Sequence, residues 1–314
     1  MLKILNTLDI SGVPEIHRIF NKHQLINVKP ERDIAIKEIV DSDAYLASAA
    51  IQIDEDFLKH ANNLKIIGSP STGTDHMDLN LIKNKGICCY DISKEFDLIN
   101  SFTATSELVF TLLLSFIRKI IPASQDANNG IWAREKYSGV QLLNKTFGII
   151  GLGRLGKISA EIAKGFGMNI IAYDTNEKNV NGVKMVDLDY LSRKSDFISI
   201  HVHLNSSTEN LIHLGLFKKM KETAIIINTS RGKIINEKDL ILALKNNLIS
   251  GACLDVIDGE WLTKKELYEH PLVKYSRIND NLLLTPHIGG ATEESIYGAR
   301  LFIAKKIASF LGIT

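Results

Sequence analysis

The chain has only three cysteines in 314 residues, Cys88, Cys89 and Cys253. Three thiols make no disulfide framework, and no cysteine or histidine pair stands at metal-ligand spacing. Two of them are adjacent in the apolar run GICCYD, so buried, reduced strand cysteines in a reducing compartment are expected, and no metal. Prolines number six, and no low-complexity linker breaks the chain. A dominant charge is missing too. Thirty-seven Lys and Arg stand against 36 Asp and Glu, a net of +1. That balance gives no long-range pull toward nucleic acid or an anionic membrane, although it leaves room for a local cationic pocket. The longest apolar run, LVFTLLLSFI from Leu108 to Ile117, is ten residues between Glu107 and Arg118. It falls short of the roughly 20 residues that cross a bilayer and reads as a buried helix. The opening MLKILNTLDI has no signal-peptide apolar region or cleavage site. A cytoplasmic protein without nucleic-acid or membrane partners is expected.

What is present is ordinary globular composition, 45% hydrophobic and 23% charged, in a length that suits two domains. In the first hundred residues LKILNTL, AYLASAA, LKIIGS and GICCYD read as short strands, with helical spacing around Glu15–His23, Asp54–Ala61 and Asp78–Lys83 between them. From Lys145 the alternation resumes. TFGIIG, MNIIAYD, DFISIHV, TAIIINT, SGACLDV and NLLLTPH are strand-like, and RLGKISAEIAKGF, STENLIHLGLFKKM and NEKDLILALKNN are helical. Alternation of this kind implies parallel sheets covered on both faces, hence two doubly wound α/β domains. Phe102 to Ile121 reads as one long apolar helix, and Thr292 to Leu311 as a last helix returning to the first domain. The expected division is 1–99 with 290–314, and 100–289 as an insert.

Gly151, Gly153 and Gly156 in GIIGLGRLGKISA have the G-x-G-x-x-G spacing, directly after the strand FGII and opening a helical stretch. In that context Gly151 allows the tight turn, Gly153 lets backbone approach a pyrophosphate, and Gly156 lets helix and strand pack closely. The phosphates then meet free amides at the helix N-terminus, beside Arg154 and Leu155. The next strand ends at Asp174, eighteen residues after Gly156, where a carboxylate bonds the adenosine ribose. Such a carboxylate repels a 2′-phosphate, and DTNEK offers no arginine, so NAD is expected rather than NADP.

Ligands of open α/β sheets bind outside the carboxyl ends of strands. Three successive late strands end in IINTSRG with Arg231, CLDVIDGE with Asp255 and Glu260, and LLLTPHIGG with His287. Carbonyl–hydroxyl interconversion needs a proton moved at oxygen while hydride moves at carbon, and histidine suits that near neutral pH. A carboxylate beside it orients the ring and favours its charged form. Arginine holds a substrate carboxylate bidentately, as lysine cannot. His201 closes a strand and is expected at the cofactor, with Thr229 and Gly289 in the same strand-end loops. His203 and His213 are expected at the surface.

TFGIIGLGRLG, FKKMKETAIIINTSRGKIINEKDLILALKNNLISGACLDV and NLLLTPHIGGAT closely resemble the D-isomer specific 2-hydroxyacid dehydrogenases, the group that includes phosphoglycerate dehydrogenase and hydroxypyruvate reductase. IIGSPSTGTDHMDL and ATSELVFTLLLSFIRK resemble them as well. The resemblance implies a Rossmann NAD domain inserted in a flavodoxin-like substrate domain. It implies His287 as acid/base, Glu260 as its partner and Arg231 as substrate anchor. By the same resemblance Asp255 contacts the nicotinamide amide, and the backbone of Ser71, Thr72 and Gly73 holds the substrate carboxylate. The partners it implies are a small 2-hydroxy or 2-oxo acid and a second copy of the chain, with Phe102–Ile121 in the dimer-forming region.

Departures bear on the substrate. Phosphoglycerate dehydrogenases carry arginines where this chain has Ala47 and Ser69. DISKEFDLINSFTATSE is about five residues longer than in those enzymes, Trp261 replaces the proline after Glu260, and the insertion WLTKKELYEHPLVKYSRIND follows. The serine-sensing regulatory domain of some relatives is expected to be missing. Two other readings stand beside the dehydrogenase. NAD-sensing corepressors use this fold as a binding platform, but tend to carry disordered tails. Formate dehydrogenases resemble the family with Gln at the Glu260 position.

Overall fold

A computed structural model describes residues 1–176 and 179–313. Glu177 and Lys178, part of the DTNEK stretch read above, lie outside the described residues, as does Thr314. The chain forms two compact units, Met1–Phe102 with Ala291–Thr314, and Thr103–Gly290.

The first unit holds a five-stranded sheet: β1 (Lys3–Asn6), β2 (Gln24–Asn27), β3 (Ala44–Leu46), β4 (Ile66–Gly68) and β5 (Cys88–Tyr90). Their order is β2-β1-β3-β4-β5, every pair parallel, the flavodoxin-like order. Both faces are covered, so the central strands are continuous apolar runs rather than alternating ones. Ile4, Leu46 and Ile66 turn to one side, against Ile303, Ala304 and Ile307 of the helix Glu293–Phe310. Leu5, Tyr45 and Ile67 turn to the other, with Ile39 and Phe57. The final helix lies directly on β4: a Cβ on Gly68 would come within 2.5 Å of Ile303 Cγ2. Its start is fixed by Thr292, whose hydroxyl accepts from the Ser295 amide.

The second unit holds seven parallel strands: β6 (Thr146–Ile150), β7 (Asn169–Tyr173), β8 (Val183–Met185), β9 (Phe197–Ile200), β10 (Ile225–Asn228), β11 (Gly251–Leu254) and β12 (Leu282–Leu284). Their order is β12-β11-β10-β9-β6-β7-β8. This is the doubly wound 3-2-1-4-5-6 order with one strand added. The winding reverses between β6 and β9, which opens a crevice beyond their carboxyl ends.

Some local expectations are corrected. Phe102–Ile121 is not one helix. The helix Ala104–Ile117 stops, Lys119 adopts φ 52°, and a second helix runs Ile120–Asn128. By length and composition Phe96–Ile117 passes for a membrane span. It is two helices, Phe96–Ile99 and Ala104–Ile117, and Val109, Leu112 and Leu113 of the second are buried in the core under the sheet. Only Leu214–Phe217 of STENLIHLGLFKKM is helical, because the Thr208 hydroxyl takes the Asn205 amide and holds the preceding segment in turns. Strands β2 and β8 and the helix Arg32–Ile39 were not read from the sequence: each is short and sets its apolar residues among polar ones. Cys88 and Cys89 are half-buried rather than buried, and all three cysteines are unpaired.

Candidate active site

The glycine loop follows β6. Gly151 has φ +94°, a left-handed conformation that side chains resist, and a Cβ there would lie 2.6 Å from the His201 carbonyl oxygen. Gly156 sits in the first turn of the helix Arg154–Gly165, where a Cβ would come 2.2 Å from the Gly151 carbonyl oxygen. Nothing lies within 4 Å of the Cβ position at Gly153, the N-cap residue, and no side chain caps this helix. The first-turn amides and the open space beside Gly153 fit a pyrophosphate. Asp174, past the end of β7, ties this loop down. Its Oδ2 accepts from the Leu152 amide at 2.8 Å and its Oδ1 from the Asn176 amide at 2.9 Å.

Across the switch point stands His201. Its backbone amide extends the β6–β9 pairing by donating to the Ile150 carbonyl at 2.7 Å. Its Nε2 lies 2.9 Å from Ser199 Oγ, while Nδ1 is buried without a partner among the described residues. The residue keeps some accessible surface, but burial of its ring nitrogens pushes its pKa down to about 4. It is neutral at neutral pH. Thr229 Oγ1 is likewise buried and unpartnered among the described residues. These two polar atoms follow the neighbouring strands β9 and β10 at the carboxyl edge of the sheet. His203 and His213 are not part of this set; His213 Nδ1 accepts from the Gly215 amide at 3.1 Å.

Arg231, Asp255, Glu260 and His287 follow three adjacent strands, β10, β11 and β12, so the sheet brings their loops together at its carboxyl edge. Each loop is tied by its own polar residues. Asn228 Nδ2 donates to the Arg231 carbonyl at 2.9 Å, its Oδ1 accepts the Ser230 amide at 3.0 Å, and Ser230 Oγ donates to the Ile200 carbonyl at 2.7 Å. Sequence reasoning passed over Asn228 and Ser230, although both stand inside the quoted IINTSRG.

Asp255 is buried and fully engaged. Its Oδ1 accepts from Thr285 Oγ1 at 2.6 Å and the Ile288 amide at 2.9 Å, and its Oδ2 from the Gly289 amide at 2.7 Å. Its carbonyl accepts the His287 amide at 2.7 Å. These bonds hold His287 at φ +54°, a left-handed conformation uncommon outside glycine. Gly289 has its amide on Asp255 and its carbonyl on Thr105 Oγ1 at 3.1 Å. From this loop His287 places Nδ1 2.7 Å from Glu260 Oε1. The other Glu260 oxygen is buried without a partner among the described residues. Trp261, noted in the sequence only as a departure, sets its ring 5.9 Å from the His287 ring, tilted by 32°. The insertion after it folds into two short helices, Lys264–Glu269 and Pro271–Ser276.

In the first unit, Ser71 to Gly73 form irregular backbone after β4, with Thr72 exposed and the Ser71 carbonyl accepting the Ile92 amide at 3.3 Å. Ala47 and Ser69 are both buried, and Ser69 Oγ is 3.1 Å from His76 Nε2.

A doubly wound unit with this glycine loop after its first strand is a dinucleotide-binding fold, and the His287–Glu260 pair stands at the same carboxyl edge of the sheet. Residues 110–289 match the family model "D-isomer specific 2-hydroxyacid dehydrogenase, NAD binding domain". The chain is 35% identical over 292 residues to a glyoxylate reductase of Thermococcus litoralis, covering 90% of this chain and 84% of the relative. It is 34% identical over 282 residues to a D-3-phosphoglycerate dehydrogenase of Archaeoglobus fulgidus, covering 88% of this chain but only 51% of that longer protein. A solved D-lactate dehydrogenase of Aquifex aeolicus, complexed with NAD and lactic acid, superposes with a TM-score of 0.86 at 25% identity, over 98% of this chain and 95% of that one. The chain belongs to the D-isomer specific 2-hydroxyacid dehydrogenase family.

One prediction concerns the loop anchor. In Asp255→Asn an amide N–H₂ faces the Gly289 or Ile288 amide, leaving buried donors unpaired. The expected cost is about 1–3 kcal/mol in urea unfolding of the cofactor-free protein. An unchanged midpoint would show that the carboxylate does not hold this loop.

Proposed function

We propose that this chain interconverts a small D-2-hydroxy acid and its 2-oxo acid with NAD(H). The observation that carries the reading is the 2.7 Å Glu260–His287 pair at the strand edge that also holds Arg231. NAD(H), when bound, accepts or supplies the hydride. In reduction His287 donates a proton to the carbonyl oxygen as negative charge develops there, and in oxidation it takes that proton back. Glu260 accepts from Nδ1, which leaves Nε2 as the nitrogen that exchanges the substrate proton. Arg231 holds the substrate carboxylate, and the backbone of Ser71, Thr72 and Gly73 is assigned to the same carboxylate by family resemblance. Gly151, Gly153, Arg154, Leu155 and Gly156 are assigned to the pyrophosphate, and Asp174 to the adenosine ribose. His201, Thr229, Asp255 and Gly289 are assigned to the nicotinamide end. Asp255 acts there mainly by shaping the loop, since its oxygens are already engaged. The unpaired cysteines suit the cytoplasm.

The proposed domain roles follow: residues 1–99 with 290–314 for substrate and 100–289 for NAD. We also propose a homodimer. Ile120, Ile121, Ile131, Trp132, Val140 and Leu143 are exposed on the second unit, with Trp132 at 88%, an apolar surface that suits a second copy of the chain.

Five outcomes are expected. In a screen of 2-oxo acids followed by NADH absorbance, glyoxylate or hydroxypyruvate should be reduced. His287→Ala should then lower kcat by about 10²–10⁴ with NADH binding nearly intact. Glu260→Gln should lower kcat, because the His287 ring loses the carboxylate that stands 2.7 Å from its Nδ1; an unchanged kcat would refute the pair. NAD(H) should bind at least about tenfold more tightly than NADP(H), about 1.4 kcal/mol, and Asp174→Ala should erode that preference; equal affinities in the wild type would rule out the ribose assignment. Finally, sedimentation should give a dimer mass that Ile121→Glu with Trp132→Glu reduces to a monomer, and a wild-type monomer at micromolar concentration would exclude the dimer.

A further inference from the structure

A second buried acid–histidine pair lies outside the residues assigned above. Glu237 opens the helix Glu237–Lys245, and its Oε1 accepts the Asp258 amide at 2.7 Å. His270 stands between the helices Lys264–Glu269 and Pro271–Ser276 and is 8% exposed. Its Nε2 is 2.9 Å from the Asp258 carbonyl oxygen and 3.4 Å from Glu237 Oε2. A carbonyl only accepts, so this nitrogen carries the ring proton. Both polar backbone atoms of Asp258 are thus held by side chains from two other elements.

That grip sits where it matters for the site. Gly259 follows with φ +79°, and Glu260 comes next. On the opposite side lies Gly232, the neighbour of Arg231. A Cβ on Gly232 would fall 2.1 Å from the Ile257 carbonyl carbon and 2.3 Å from the Asp258 nitrogen. The Ile257–Asp258 peptide therefore rests on the backbone next to Arg231 and leads into Glu260. Moving it displaces both.

We propose that Glu237 and His270 are positioning residues, which clamp the Asp258 backbone and so set where Glu260 and Arg231 point; this rests on the catalytic roles proposed above. A misplacement of about 1 Å at such groups is enough to lose rate without losing cofactor. The pair is kept at a cost. His270 Nδ1 is buried without a partner among the described residues. Burial raises the Glu237 carboxyl to about 7, the Asp258 amide opposing this and the Asp258 charge adding to it. The fold thus favours the neutral acid. Its contribution to stability is full below the ordinary value near 4.5 and fades as pH rises from there to 7. Glutamine keeps both the neutral state and the Oε1 acceptor, so it should substitute for Glu237.

The test is a double-mutant cycle. Glyoxylate or hydroxypyruvate serves as substrate, whichever the wild type reduces faster, with kcat, KM and NADH Kd measured for each variant. Glu237→Ala should lower kcat by at least about tenfold with NADH Kd within about twofold, and Glu237→Gln should restore kcat to within about threefold. In a Glu260→Gln background the loss from Glu237→Ala should shrink to about threefold or less. If Glu237→Ala does not fold, Glu237→Asp, one methylene too short to reach the amide, carries the same cycle. An equal loss in both backgrounds, or no loss while Glu260→Gln is itself impaired, overturns the positioning role and leaves the proposed function standing. Wild-type kcat in Glu260→Gln and His287→Ala overturns the proposed function, and the positioning role with it.

Discussion

The carboxylate of Asp255 is the constraint on which the assigned edge of the second unit depends. It is buried, and it accepts from one hydroxyl and two backbone amides of the loop after β12. Those donors belong to Thr285, Ile288 and Gly289, the residues that bracket His287. A left-handed histidine persists only where its surroundings over-determine it. Here the surroundings are one strand-end acid and the pairing of β11 with β12. The reach of His287 toward Glu260 follows from that anchor, and so does the position of the amides on either side.

Four carboxylates around this edge show how environment divides labour among identical groups. Asp255 has its oxygens filled by donors and serves as an anchor. Glu260 gives one oxygen to His287 and keeps the other buried and without a partner among the described residues. Glu237 is desolvated enough to favour its neutral acid and holds a peptide rather than a charge. Asp174, at the far side of the switch point, fastens the glycine loop through the amides of Leu152 and Asn176. None of these distinctions depends on residue type. Each comes from which donors, backbone or side chain, the fold brings to the carboxyl group and from how far burial removes its water.

The unit's regular scaffold makes this possible. Parallel strands covered on both faces are rigid and end in register, so loops after β10, β11 and β12 start from fixed points. The loops are then free to be polar and irregular. Three left-handed residues, Gly151, Gly259 and His287, lie in loops after β6, β11 and β12.

Much of this was legible in the amino-acid order. Strands such as TFGIIG and TAIIINT announce themselves because doubly covered strands must be apolar throughout. The glycine spacing, Asp174, Arg231, Glu260 and His287 were readable because the fold puts its chemistry at strand ends, and strand ends can be found in sequence. The edge strands β2 and β8 were not, since an edge has little to bury. The break at Lys119 was not, since a left-handed residue leaves no hydrophobic mark. Asn228, Ser230, Glu237 and His270 were also silent: a polar residue's partner can be 12 or 21 positions away, as with His270 and Glu237 to Asp258. Sequence by itself determined the fold class and the identity of the strand-end residues, because periodicity and short-range spacing encode them, and the family through the resemblance of whole segments such as TFGIIGLGRLG and NLLLTPHIGGAT. Only the tertiary structure decided which carboxylate anchors, which faces the histidine and which grips a peptide, because those roles are set by hydrogen bonds and desolvation between segments distant along the chain.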